Sequence, residues 1–293
     1  MRSQLVVRYF ALSAILSAAV LAQKPNPLAG MWVRERAAQQ PPEEFILFGV
    51  DGQFAQAVLP ANRPQLDEAR RAEAEERHQS LLGRMTKEEL VARYTGVEAS
   101  HGAYAVSENV ISQKHAANID PNLEGSEQVR EFRLDGNTLV LAPKGSGSGR
   151  QVRLQRLPPL MNKPHPLLGT WVRFFLIRDS TIQQPPATPE WVFLGPDGYF
   201  LNMEIREGRP KLDKPLSQMT KEELLRRFNG VGVTYGTYTV QGNISNRKHL
   251  IGIDPGAVGF EQVRGFRFEG DVVNFRGPNA NGTEMSAYFE RPK

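Results

Sequence analysis

The side chains with the most chemical potential recur in pairs along this chain: His115 with His249, Arg130 with Arg264, and Tyr104 with Tyr238. An imidazole titrates near neutral pH and can hold or move a proton. A guanidinium only donates hydrogen bonds, in a fixed fork that suits a carboxylate or carbonyl oxygen. Two chemistries are open to such a set. It can orient the acidic or carbonyl end of a small, mostly hydrophobic ligand. It can also run turnover of the isomerase, dehydratase or cyclase type, with His115 and Tyr104 as an acid–base pair. The chain has no Gly-x-Ser-x-Gly elbow, no His-Glu-x-x-His and no phosphate loop. A zinc or iron site would need Asp120 and Glu127 beside the one repeated histidine of each copy, so no metal and no cofactor is expected. Zero cysteines exclude thiolate zinc sites, cysteine nucleophiles and a disulfide framework. His78 and His101 have no counterpart, since His101 aligns with Tyr235.

The pairing follows from an internal repeat. Gly30-Met31-Trp32-Val33-Arg34 returns as Gly169-Thr170-Trp171-Val172-Arg173, and Arg63-Pro64 returns as Arg209-Pro210. Met85 to Val106 against Met219 to Val240 gives 12 identities in 22, and Asp120 to Gly136 against Asp254 to Gly270 gives 10 in 17. The 293 residues therefore divide into a leader at 1–22, a domain at 26–157, a proline-rich linker at 158–164 and a second domain at 165–293. Two copies are too few for a solenoid, which needs about three repeats to bury a core.

Each copy reads as short strands. Phe45 to Phe48 before Asp51-Gly52, and Trp191 to Leu194 before Asp197-Gly198, are hairpin signals. Further strands fall at 102–106, 110–119, 128–134, 139–141 and 151–154, and Gly145 to Gly149 reads as the last hairpin turn. One helix per copy opens at Thr86 or Thr220, with Glu89 or Glu223 three residues on as a capping box. Copy 1 carries an additional charged insertion at 68–82 that reads as a solvated helix. Alternation with period two places Ile111, Gln113, His115, Ala117 and Ile119 on one face, matched by Ser245, Arg247, His249, Ile251 and Ile253. On the following strand Gln128, Arg130, Phe132 and Leu134 share a face, as do Phe260, Gln262, Arg264, Phe266 and Phe268. About eight strands per copy predict an all-β chain of two antiparallel barrels, since closure removes exposed sheet edges.

Two patterns carry a family resemblance. The Gly-x-Trp of the first strand faces an arginine at the end of the last, Arg156 and Arg291, which resembles the base of a lipocalin barrel. The run Gly-x-Tyr-x-Val, Lys-His, Asp-Pro, Gly-x-Glu-Gln-Val-Arg-x-Phe, from Gly102 to Phe132 and again from Gly236 to Phe266, is similar to the lipocalin-like domain family. That resemblance implies two tandem lipocalin-like barrels and is nearly silent on activity. A barrel of about eight strands is just wide enough for its own side chains or for one small ligand. The filled alternative has each histidine and arginine satisfied by Asp120 or Glu127, and by Asp254 or Glu261.

Arg2 and Arg8, an apolar stretch from Tyr9 to Leu21 and a small residue at Ala22 form the pattern of a secretory leader. The stretch is too short to span a bilayer, where roughly 20 apolar residues are needed. The expectation is a secreted or periplasmic protein with no stable membrane insertion after cleavage. Removing the two arginines halves the formal charge of +4. No stripe of Lys and Arg interleaves with aromatics, so nucleic acid is not an expected partner. A third class, an interaction protein, is distinguished by whether an apolar face joins the two barrels. Oligomeric state is not legible.

Overall fold

A computed structural model describes residues 26–35, 44–60, 63–64, 67, 81–145, 151–161, 163–178, 181–183, 188–206, 208–211, 214–254, 258–278 and 284–293. The leader expected at 1–22 and residues 68–80 of the helix expected in the copy 1 insertion lie outside the described residues. Leu81–Arg84, which follow them, form a 3-10 turn.

Eight antiparallel strands close the first barrel: β1 (Gly30–Arg34), β2 (Glu44–Phe48), β3 (Gln53–Val58), β4 (Glu98–Ser107), β5 (Val110–Asn118), β6 (Glu127–Asp135), β7 (Thr138–Pro143) and β8 (Val152–Arg156), which pairs back onto β1. The second barrel runs β9 (Gly169–Arg178), β10 (Thr181–Gln183), β11 (Glu190–Leu194), β12 (Tyr199–Ile205), β13 (Val231–Gln241), β14 (Ile244–Gly252), β15 (Glu261–Glu269), β16 (Val272–Pro278) and β17 (Glu284–Glu290). It closes through β17 on β9, while β10 pairs only with the far end of β9. The chain is all-β, and among the described residues one short α-helix precedes the fourth barrel strand of each copy: α1 (Lys87–Tyr94) and α2 (Lys221–Phe228). Both helices start on the expected capping boxes, with Thr86 and Thr220 accepting from the amides of Glu89 and Glu223. Among the described residues no helix is long and apolar enough to cross a membrane.

The closed end of each barrel is built on its tryptophan. Trp32 and Trp171 donate their indole N–H to the carbonyls of Leu28 and Leu167 at 2.7 and 2.9 Å. Arg156 and Arg291 lie 4.4 and 3.7 Å over the two rings, a cation–π contact worth about 0.5 to 2 kcal/mol. Phe48, Phe54, Ile111, Leu139, Leu141 and Leu154 fill the space above Trp32. Phe200, Phe266, Phe275 and Phe289 do so above Trp171. Phe268 departs from the inward reading: at the barrel rim it is 40% exposed, with its ring tilted against Trp171.

Gly102 and Gly236 sit at a bulge where the fourth strand of each barrel shifts register. A Cβ there would lie 1.9 Å from the carbonyl oxygen of Lys114, or 2.0 Å from that of Lys248, because the bulge brings the two backbones together. Gly102→Ala or Gly236→Ala is expected to lose about 3 kcal/mol of stability by denaturant titration. Gly83→Ala, whose Cβ meets nothing within 4 Å, should stay within about 0.5 kcal/mol. Equal losses would mean that the close approach is absent.

The two barrels share one core. Phe45, Leu47, Ala55 and Ala57 point out of barrel 1, and Phe193, Leu201, Met203 and Tyr235 point out of barrel 2, yet all are buried against one another. Phe45 stacks on Tyr235 at 4.3 Å, and Tyr94 of α1 stacks on Phe228 of α2 at 3.6 Å. The polar contacts are reciprocal. Asp51 accepts from the amide of Thr170 and Asp197 from that of Met31, both at 2.6 Å. Arg93 pairs with Asp254, and Arg227 with Asp120. Arg63 donates to the carbonyls of Gly252 and Ile253, and Arg209 to those of Asn118 and Ile119. When residue i meets j and the counterpart of j meets the counterpart of i, the interface is isologous. The tandem repeat is thus a two-fold pair of barrels made within one chain.

Candidate functional site

Below its midpoint each barrel is packed; the open space lies above. On β5, Ile111, Gln113 and His115 are buried and point inward, while Ala117, expected on the same face, is turned by the bulge at Ala116 into the core shared with barrel 2. His115 stands at the upper level of that stripe, its Nδ1 3.0 Å from the hydroxyl of Ser100 on β4 and its ring edge-on to Phe54. Arg130 enters from β6, is 9% exposed and donates to the side-chain oxygen of Gln128. Arg34 of β1 donates to Glu44 of β2 at 2.9 Å. These groups, with Gln56 of β3, line a cavity of about 910 Å³. Its outer wall is completed by Leu216, Arg227 and Phe228 of barrel 2.

Barrel 2 repeats the arrangement by register. His249 pairs opposite Gly236 as His115 does opposite Gly102, and Arg264 pairs opposite Ser245 as Arg130 does opposite Ile111. Arg173 donates to Glu190, which also accepts from Asn202 at 2.9 Å. His249 is edge-on to Phe200 at 5.3 Å, the same distance as His115 to Phe54. Asn202, Glu204, Thr234 and His249 line a smaller cavity of about 200 Å³. Glu204 replaces the apolar Val58 of barrel 1.

The structure brings His115 together with Arg130, and His249 with Arg264, in the upper half of each barrel. It does not bring Tyr104 or Tyr238 there. The Tyr104 hydroxyl donates to the carbonyl of Gly49 at 2.7 Å and accepts from Asn26, and Tyr238 donates to that of Gly195 at 2.6 Å beside His165. A buried phenol needs a partner, and these find theirs in the turns of the closed end. Burial raises the pKa of both phenols, Asp51 adding to the effect on Tyr104 and Asp197 to that on Tyr238. Tyr104 lies opposite Gln113 in register, one inward level below His115. The acid–base pair of His115 with Tyr104 is therefore not assembled.

The carboxylates expected to satisfy the inward cations are engaged elsewhere. Asp120 and Asp254 reach across to Arg227 and Arg93 of the opposite barrel. Glu127 accepts from Ser112, and Glu261 pairs with Lys248. Among the described residues Arg130 and Arg264 have no ion pair, and the Nε–H of each is buried without an acceptor. Burial lowers both guanidinium pKa values. Burial, and then the neighbouring Arg130, lowers that of His115. Burial, then Arg247, brings His249 to about 4. Both imidazoles are neutral at pH 7, so the positive charge of each site resides on arginine.

Four site positions escaped the sequence reading: Arg34, Glu44, Gln56 and Ser100, with their counterparts Arg173, Glu190, Asn202 and Thr234. The signal was present in the repeat, because these polar types survive in both copies at positions that alternate with apolar residues. Among the described residues no three His, Asp or Glu side chains converge on a point that would hold a metal ion.

Residues 42–155 match the family model of the lipocalin-like domain. Among solved structures, an uncharacterized protein from Bacteroides eggerthii is similar at 12% identity over 42% of this chain and 98% of that chain, with a TM-score of 0.25. No curated protein matches. Residues 42–155 of the first barrel thus carry a lipocalin-like domain, and the second barrel repeats its strand order and motifs.

Proposed function

We propose that this is an exported binding protein whose barrels each hold a small molecule by an acidic or carbonyl end. The lipocalin-like domain at 42–155 suggests a ligand-binding barrel and supports this reading. The observation that carries the reading is the pair Arg130 and Arg264: inward at equivalent positions, the first buried and the second half-buried, with the Nε–H of each lacking an acceptor and neither in an ion pair among the described residues. A buried cation is costly unless an anion meets it. His115 beside Arg130 adds a neutral hydrogen-bonding ring. The free space is in the polar upper half, because Trp32, Phe48 and Phe54 occupy the apolar lower half. A compact ligand with an acid tip fits better than a long hydrophobic one. Its body would rest on Val97, Ile119 and Leu216 at the outer wall of the barrel 1 cavity. The leader-like residues 1–22 support action outside the cytoplasm.

The test uses a fluorescent fatty acid displaced by octanoate or benzoate, on protein recovered from the periplasm or medium with Gln23 as its first residue. Losing one hydrogen bond to a charged group costs about 1.5–3 kcal/mol, so Arg130→Ala is expected to weaken displacement at least about ten-fold. His115→Ala should weaken it less. Binding that Arg130→Ala leaves unchanged, or no displaceable binding at all, rejects the reading.

A further inference from the structure

The two barrels differ at one level of their interiors. Where barrel 1 has Ile111, Gln113 and Arg130 on adjoining inward positions of β5 and β6, barrel 2 has Ser245, Arg247 and Arg264 on β14 and β15. An apolar and amide floor with one cation has become a hydroxyl floor with two. Arg247 is 6% exposed, lies 4.9 Å over Phe275 and 5.9 Å from Phe200, and has no ion pair among the described residues. Among the described residues no carboxylate pairs with it: Glu190 and Glu204 both lie against Arg173, and Glu190 acts on Arg247 only through space, less than Arg264 does. Burial and the like charge of Arg264 bring its pKa down to about 10. The Ser245 hydroxyl, both ring nitrogens of His249, the Thr234 hydroxyl and the Arg264 Nε–H are buried without partners around it. Arginine donates and cannot accept, and the hydroxyls can donate too. Such a donor-rich, doubly cationic chamber calls for a ligand rich in acceptors and carrying two negative charges.

We infer that barrel 2 binds a tetrahedral dianion, the phosphate or sulfate end of a small molecule, between Arg247 and Arg264. The 200 Å³ cavity above, floored by His249, is its entry. Guanidinium groups meet such oxyanions with paired N–H donors. Barrel 1, with Gln113 in place of the second arginine, keeps the singly charged acid. The inference rests on reading the barrels as binding chambers, yet the two fail separately, since octanoate reports on Arg130 and sulfate on Arg247.

The experiment titrates the full chain with sodium sulfate and with inorganic phosphate at pH 8 by calorimetry, against sodium chloride at equal ionic strength. The expected result is one saturable equivalent for each dianion and none for chloride; binding by only one of the two assigns the end group to that one. Sulfate also stabilises proteins by exclusion from their surface, so the deciding comparison is Arg247→Gln. That variant should bind sulfate at least ten-fold more weakly. Free of ligand, it should melt higher than wild type, because an unpaired buried charge is gone. The double change Ile111→Ser with Gln113→Arg should add a second equivalent. Unchanged sulfate binding in Arg247→Gln, a lower melting temperature for that variant without ligand, or no saturable binding by wild type would overturn the inference.

Discussion

Phe45→Ala is expected to lower the stability of the whole chain by about 3–5 kcal/mol, the usual cost of emptying a buried phenylalanine site. At roughly 2–4 °C per kcal/mol for a chain of this size, the melting temperature should fall by on the order of 10 °C. The ring is fully buried although it points out of its own barrel, and it stacks on Tyr235 of the other. The change should therefore loosen both barrels, and hydrogen exchange should speed up in strands β2 and β12 alike. Phe268→Ala, at a ring that is 40% exposed, should cost far less. A loss below about 1 kcal/mol for Phe45→Ala, or exchange confined to barrel 1, would show that the barrels are not one folding unit.

Acid should weaken the same interface. His101 is 2% exposed, lies 4.4 Å from Trp191 and 5.8 Å from Phe193 of barrel 2, and leaves both ring nitrogens without a partner. Burial, with a smaller push from His115, lowers its pKa to about 3. The unfolded chain then binds a proton near pH 6.5 that the folded chain refuses until about pH 3. Stability from this group is complete above pH 6.5 and drains away as pH falls between those values, by on the order of 5 kcal/mol in all. His249, held at about 4, contributes in the same direction over a narrower window. His101→Phe removes the larger part, so denaturation midpoints measured from pH 7.5 to 4 should fall less steeply than in wild type. Parallel slopes would sink this account.

Much of the fold was legible because its determinants are local. Period two turned Gln113, His115 and Arg247 inward, the capping boxes set the helix starts, and Gly-x-Trp with a terminal arginine marked the closed ends. The Gly of Gly-x-Tyr-x-Val was visible too, though its reason, the contact with the Lys114 carbonyl, was not. The site was legible in part. His115, Arg130, His249 and Arg264 were found by chemistry and alternation. Tyr104 and Tyr238 share that inward face, but strand order alone does not say how high a side chain stands, and theirs stand at the closed end.

Asp51 and Asp197 show the other limit. In sequence they are turn residues before glycine; in the molecule each also grips the first strand of the opposite barrel. Phe45-Ile46-Leu47-Phe48 is apolar at every position, as a strand buried on both faces must be, and that run announces a second neighbour without naming it. By itself the sequence determined two barrels, their inward stripes and their basic residues, since each depends on residues a few positions apart. Only the tertiary structure decided that the barrels meet through a two-fold face, that the carboxylates of Asp120 and Asp254 are drawn to it, and that Arg130, Arg247 and Arg264 make no ion pair among the described residues. Those outcomes turn on which surfaces fit and which charges are nearest in space, and neither quantity is carried by spacing along the chain.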